Sequence, residues 1–167
     1  MSKKVDRNYL EIQSLDDLVG SKNPSDEFII ELIDPPDFQL NKFFYKNVGK
    51  KHHWVDRLIW TDNQWIDYIN DKKVKTFILK KKDDLVGYYE LILHLDQNET
   101  EIAYFGILEE YQNQKLGSFL LTSAIKNSFS FNPNRVWVHT CSLDHKNALN
   151  NYISRGMRIF KKESVLI

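Results

Sequence analysis

The spacing of apolar positions changes character from one segment of the chain to the next. EFIIELI at 27–33 has the composition of a strand and stops at DPPD, where the doubled proline removes two ladder donors. From Gln39 to about Lys72 the spacing turns helical through LNKFFYKNVG, HHWVDRLIW and TDNQWIDYINDK, the last with Thr61 or Asp62 as N-cap. A period of two then takes over, and KTFILKKKDD and LVGYYELILHLDQNETEIAYFGIL predict three antiparallel strands turning at KKDD and DQNE. Residues 115–129 return to helical spacing, with Leu116, Phe119, Leu120, Ala124 and Phe129 near one face. RVWVHTCSL at 135–143 predicts a strand and RIFKKESVLI a last one. Between them DHKNALNNYISRG predicts a helix, with Asp144 as N-cap and Gly156 closing it in the left-handed conformation. The order β-α-β-β-β-α-β-α-β describes an α/β (α+β) chain with a mixed, mostly antiparallel sheet flanked by helices.

Composition narrows the functional classes. At 167 residues, without a linker or repeat, the chain reads as one domain, 1–167. Lys plus Arg number 23 and Asp plus Glu also 23, so no global field draws in nucleic acid or an anionic membrane, and any anion site must be local. Cys141 stands alone, which excludes an intrachain disulfide and fits a reducing compartment. No apolar leader opens MSKKVDRNYLEIQ and no run reaches about 18 apolar residues, so the expectation is a soluble, cytoplasmic protein.

YFGIL at 104–108 is a strand end, followed by a polar turn and a helix start. The first amides of a helix are unpaired and carry partial positive charge, so such a turn can cradle a phosphate. Gln112, Asn113 and Gln114 add side-chain donors, Lys115 a cation, and Gly117 removes a Cβ that would hold a pyrophosphate off the amides. The alternative is an ordinary strand-to-helix loop. Neither the P-loop spacing nor the dinucleotide-binding GxGxxG is present.

EIAYFGILEEYQNQKLGSFLLTSAI resembles the central motif of the GNAT superfamily of acyl-CoA-dependent N-acyltransferases, whose turn reads Gln/Arg-x-x-Gly-x-Gly/Ala; here it runs from Gln112 to Gly117. ALNNYISRGM resembles the family's Ala-x-x-x-Tyr-x-x-x-Gly-Phe, with Ala148, Tyr152 and Gly156 in register and Met157 in place of phenylalanine. The likeness runs from about Lys75 to the C-terminus and is looser before it. Lys115 stands at the family's first glycine, and His145, with Asn147 two residues on, stands where an asparagine usually faces the cofactor. The resemblance implies acetyl-CoA as co-substrate, a primary amine of a small molecule or an exposed amino group as acceptor, direct transfer in a ternary complex and no metal. It implies cofactor contacts from Ile107, Leu108, Gln112, Asn113, Gln114, Lys115, Leu116, Gly117, Ser118, His145 and Asn147. It also leaves a homodimer open.

An amine resembling lysine has a pKa near 10.4, so transfer needs a base or a helpful environment, an oxyanion donor and a proton for the thiolate. Tyr152 is implied as that acid, with a core tyrosine as the alternative. Glu101 resembles the family's general-base glutamate, against a solvent-facing strand-edge residue; Glu90, a carboxylate on the apolar face of Tyr88 and Ile92, is its rival. A backbone N–H near Ile107 is the expected oxyanion donor. His139, Cys141 and His145 make H-x-C-x3-H without a fourth ligand nearby, and Cys141 as a nucleophile lacks an orienting partner. KHHW at 51–54 reads as a solvated loop or a pocket wall. The aromatics Phe43, Phe44, Tyr45, Trp54, Trp60 and Trp65 either line an acceptor pocket or pack helices on the sheet. A non-catalytic acyl-CoA-binding or sensing module is the competing reading.

Overall fold

Residues 74–107 carry apolar side chains at both parities, and they form the two-sided centre of a sheet. In the computed structural model of the chain, which describes residues 2–166, the order is β1 (Lys4–Ile12), β2 (Phe28–Leu32), α1 (Phe38–Gly49), α2 (Asp62–Ile69), β3 (Val74–Lys81), β4 (Asp84–His94), β5 (Glu99–Ile107), α3 (Leu116–Phe129), β6 (Arg135–Cys141), α4 (Ala148–Ser154) and β7 (Arg158–Leu166). The strands lie as β2-β3-β4-β5-β6-β1-β7, all antiparallel neighbours except β5 and β6. Phe77, Leu79, Tyr89, Leu91 and Ile102 turn to one face, where they meet α3 and α4 through Leu116, Leu120, Ala124 and Tyr152. Ile78 and Tyr88 turn to the other and meet Phe44 and Val48 of α1. Burial of both faces explains why these strands lack a polar parity.

β1 is absent from the order read in the sequence. It pairs with β6 from Arg7↔Cys141 to Ile12↔Val136 and with β7 from Lys4↔Leu166 to Glu11↔Arg158. Its buried residues are Val5, Leu10 and Ile12, and a register shift between Tyr9 and Leu10 breaks the alternation that would have announced a strand. HHWVDRLIW, expected to be helical, is instead a looped connection between α1 and α2: His53 takes φ 61°, and Thr61 caps α2 in a reciprocal box with Gln64. The fourth helix starts at Ala148 rather than behind Asp144. The Asp144 carboxylate instead accepts from the backbone N of Cys141 at 3.0 Å and from the Thr140 hydroxyl, closing the turn that leaves β6. Gly156 does close α4, at φ 106°, and a Cβ there would drive into the Asp17 carbonyl oxygen.

Candidate active site

β5 and β6 pair only from Glu99↔Arg135 to Glu101↔Trp137, after which they diverge. The gap between them widens into a cavity of about 870 Å³. Ala103 to Ile107 form one wall and Val138, His139 and Cys141 the other. β5 is paired with β4 on its far side, so the backbone edge of Ala103–Ile107 that faces the cavity has no strand partner. An unpaired strand edge presents fixed N–H donors to whatever lies in the cleft.

One end of the cavity is the polar turn. A single 3-10 turn at Glu109–Tyr111 follows the strand, and α3 begins at Leu116 with Lys115 at its N-cap. Lys115 takes φ 64°, ψ 16° and Asn113 φ 65°, the left-handed region that glycine enters freely and other residues enter at a cost of about 1–2 kcal/mol. That requirement is the physical reason for a glycine where this chain has lysine. The Lys115 side chain is exposed and makes no salt bridge among the described residues. A Cβ on Gly117 would meet only Asn151 Nδ2, at 3.7 Å, so internal packing does not demand glycine there; its absence leaves room on the cavity side. Lys115 and Gly117 therefore make a cradle that fits an extended polyphosphate, with amides behind it and one cation at its rim.

Most of the expected contact residues line this cavity. Gln112, Asn113, Lys115, Leu116, Gly117 and Ser118 do so, although Gln112 turns its Nε2 back to the Ile107 carbonyl at 3.3 Å. Gln114 is exposed and off the lining, and Leu108 is buried in the core beneath α1. From the opposite side come His145, Asn147 and Ala148 at the start of α4. Asn151 donates its Nδ2 to the Gly117 carbonyl at 3.1 Å and ties α4 to the start of α3. Arg155, at the end of α4, also lines the cavity, and its Nε is buried without a partner among the described residues.

Tyr152 projects from α4 into the same cleft, its ring 6.4 Å from Phe105, and its hydroxyl makes no hydrogen bond among the described residues. Burial, reinforced by the nearby Asp144 charge, pushes its phenol well above the ordinary value. The residue is thus held protonated over any working pH.

The two glutamates lie outside the lining. Glu90 is fully buried on the α1 face and takes Arg57 Nη1 on both oxygens, at 3.1 and 3.2 Å. Five rings surround that guanidinium: Tyr68 and Tyr104 at 4.1 Å, Trp60 at 4.8 Å, Trp65 at 5.5 Å and Tyr45 at 5.7 Å. Burial works against Arg57's charge, but Glu90 and the tyrosines outweigh it and hold the group cationic. The aromatic block therefore packs around an internal ion pair, while Tyr45, Trp54 and Tyr104 also reach the cavity. Glu101 lies beside Trp137 where β5 and β6 still touch, and its carboxylate accepts from His94 Nε2 at 2.8 Å.

His139 stands two residues beyond that Glu101–Trp137 pair and does line the cavity, against Tyr9 at 5.5 Å and Trp137 at 6.5 Å. The ring remains exposed to solvent, but partial desolvation by the cavity wall first, and then the charge of Arg7, lowers its pKa. His52, His53 and Asp56 of the α1–α2 connection form the facing wall, so KHHW is a pocket wall. His52 packs across His145 with ring centroids 6.1 Å apart and places Nδ1 3.2 Å from the Leu143 carbonyl, bridging the cleft. No group of three His, Cys, Asp or Glu side chains converges as a metal site among the described residues, and no helix there is long and apolar enough to cross a membrane.

Comparison with known proteins matches this architecture. No curated protein matches the chain. Among solved structures, a GCN5-related N-acetyltransferase from Sphaerobacter thermophilus superposes with a TM-score of 0.73 at 14% identity, over 97% of this chain and 50% of that one. A functionally unknown conserved protein from Staphylococcus epidermidis gives 0.68 at 17% identity, over 99% and 62%. An aminoglycoside acetyltransferase from an uncultured soil metagenomic sample, in complex with sisomicin, gives 0.65 at 15%, over 78% and 88%. The chain thus spans half to about three-fifths of the length of the first two. These identities carry the fold, and the sequence carries the family: the model of the acetyltransferase (GNAT) family matches residues 36–157, and the chain belongs to it.

Proposed function

We propose that the chain is an acyl-CoA-dependent N-acyltransferase that moves an acetyl group from acetyl-CoA to a primary amine by direct transfer in a ternary complex. The observation that carries this reading is the divergence of β5 from β6, which joins the left-handed turn and the Tyr152 hydroxyl in one cavity. The turn at 112–118, with Lys115 and the unpartnered Arg155, suits the phosphates of CoA. The free edge of Ala103–Ile107 suits the pantetheine arm and, through a backbone N–H near Ile107, the oxyanion that develops when the amine nitrogen bonds to the thioester carbonyl carbon.

As the C–S bond breaks, the thiolate takes a proton from Tyr152, a buried phenol on the cavity wall. The amine's proton passes to a base. His139 fits that role better than either glutamate, because it lines the cavity, stays open to solvent for proton exchange, and sits where the neutral imidazole is favoured. Glu90 would have to leave Arg57 to act, and Glu101 is engaged with His94 and lies off the cavity lining. The test is thiol release from acetyl-CoA over a panel of primary amines. Tyr152→Phe is expected to lower kcat by about 10²-fold or more with CoA affinity kept, and His139→Gln to remove the acidic limb of the kcat/KM profile. CoA binding without turnover of any amine, unchanged by Tyr152→Phe, would favour the sensing module instead.

A further inference from the structure

The acceptor wall of the cavity carries a guanidinium that its surroundings only half answer. Arg7 reaches the cavity from β1, outside the residues 36–157 that the family model matches. Its Nε is buried without a partner among the described residues, and its Nη1 lies 3.5 Å from Glu163 Oε1. That oxygen is already engaged, since it accepts the Tyr9 hydroxyl at 2.6 Å, while Lys161 Nζ approaches Oε2 at 3.5 Å. An arginine fork that leaves a buried N–H unmatched is suited to a second carboxylate.

The register sets what such a carboxylate would belong to. Arg7 is opposite Cys141 and Tyr9 is opposite His139, so Arg7 and His139 are diagonal neighbours on one face, with Cα atoms about 7–8 Å apart. Asp56, exposed on the lining of the same cavity, supplies a negative charge for an arriving ammonium. A cation on one strand, an imidazole beside it and a carboxylate on the same lining match a small molecule with opposite charges at its two ends.

We propose that Arg7 determines acceptor specificity by binding the carboxylate of an amino-acid-like acceptor and directing its amine toward His139. This rests on the transfer reading given above. The test compares amino acids with their carboxamides (glycine and glycinamide, β-alanine and β-alaninamide) as acceptors in the acetyl-CoA assay. It is paired with titration of N-acetylglycine and N-acetylglycinamide into the CoA-loaded protein. At about pH 8, where His139 is neutral with or without the Arg7 charge, Arg7→Gln is expected to lower kcat/KM for the amino acids at least about tenfold and to leave the carboxamides within about twofold, with Arg7→Lys restoring part of the loss. Glu163→Gln, which removes the competing carboxylate, is expected to raise the preference for amino acids. CoA titration of each variant reports whether it is folded. Equal losses for both acceptor types in Arg7→Gln, or no preference in the unaltered protein, overturns the proposal while leaving transfer standing. If no amine is acetylated, the transfer reading fails, and the titration decides: Arg7-dependent binding of N-acetylglycine supports the anion site, and its absence overturns it.

Discussion

Replacing Glu90 by glutamine leaves Arg57 charged, buried and facing five aromatic rings with no carboxylate. The side chains of Arg57 and Glu90 are 6% and 0% exposed, so water cannot compensate the loss. Removing one partner of a buried pair costs about 3–5 kcal/mol, while ring faces around the cation return about 1–2 kcal/mol at most. The net loss is then about 1–4 kcal/mol, and for a chain of this size each kcal/mol moves Tm by about 2–4 °C, so Glu90→Gln should melt roughly 2–16 °C lower. The double variant Arg57→Met with Glu90→Leu removes the charge and its partner together, and it should recover most of that loss. Urea unfolding at constant m-value supplies the free energies. The same protein tests the chemistry, because below its lowered melting point Glu90→Gln should keep the acidic limb of the kcat/KM profile. The reasoning is refuted if Glu90→Gln melts within about 2 °C of the parent or if the double variant is no better than the single one. A normal Tm with the acidic limb lost would make Glu90 the base.

Three further outcomes follow from the site. Lys115→Gly releases about 1–2 kcal/mol of left-handed strain against about 0.4–1 kcal/mol of added unfolded-chain entropy, so Tm should rise by up to about 6 °C while CoA affinity falls with the lost ammonium. Lys115→Ala should lose affinity without the gain in Tm, and differential scanning fluorimetry beside titration separates the two. His139 and His145 both have lowered pKa values, His139 through burial and Arg7 against the opposing Glu101, Asp144 and Glu163, and His145 through burial, His52 and Lys146. Because the unfolded chain binds their protons more readily, their contribution to stability is complete above about pH 6.5 and is lost as pH falls toward the folded values. His139→Gln should therefore flatten the decline in Tm between pH 7 and 5, and an unchanged slope would refute that assignment. Asn151→Ala removes the tie to the Gly117 carbonyl and should raise KM for acetyl-CoA severalfold with little change in kcat, measured at saturating amine.

The parts of this protein that were legible in its sequence are those whose partners are near in the chain. The β3–β5 meander, the turn before α3, Tyr152 on α4 and the closing Gly156 all rest on local spacing or backbone need, and they stand where the pattern put them. β1 was not legible, because Lys4–Ile12 reads as a polar stretch until β6 and β7 flank it. Asp144 has the residue type of a cap, yet the amide it satisfies belongs to Cys141 behind it. Glu90 stood out as a carboxylate on an apolar face, and two physical answers existed, partner or function; Arg57, 33 residues away, supplied the first. Arg7 and His139 had no local signal, since only the pairing of β1 with β6 brings them to one wall.

Isothermal titration of acetyl-CoA into the protein and into Gly117→Val tests the central claim most directly. A Cβ at this position meets only Asn151 Nδ2, at 3.7 Å, outside its own helix backbone, so the fold should hold while the valine side chain fills the cradle. The account predicts a Kd in the micromolar range, about −8 kcal/mol, weakened tenfold or more by the valine. No heat up to millimolar ligand, or equal affinity in the folded variant, would contradict it.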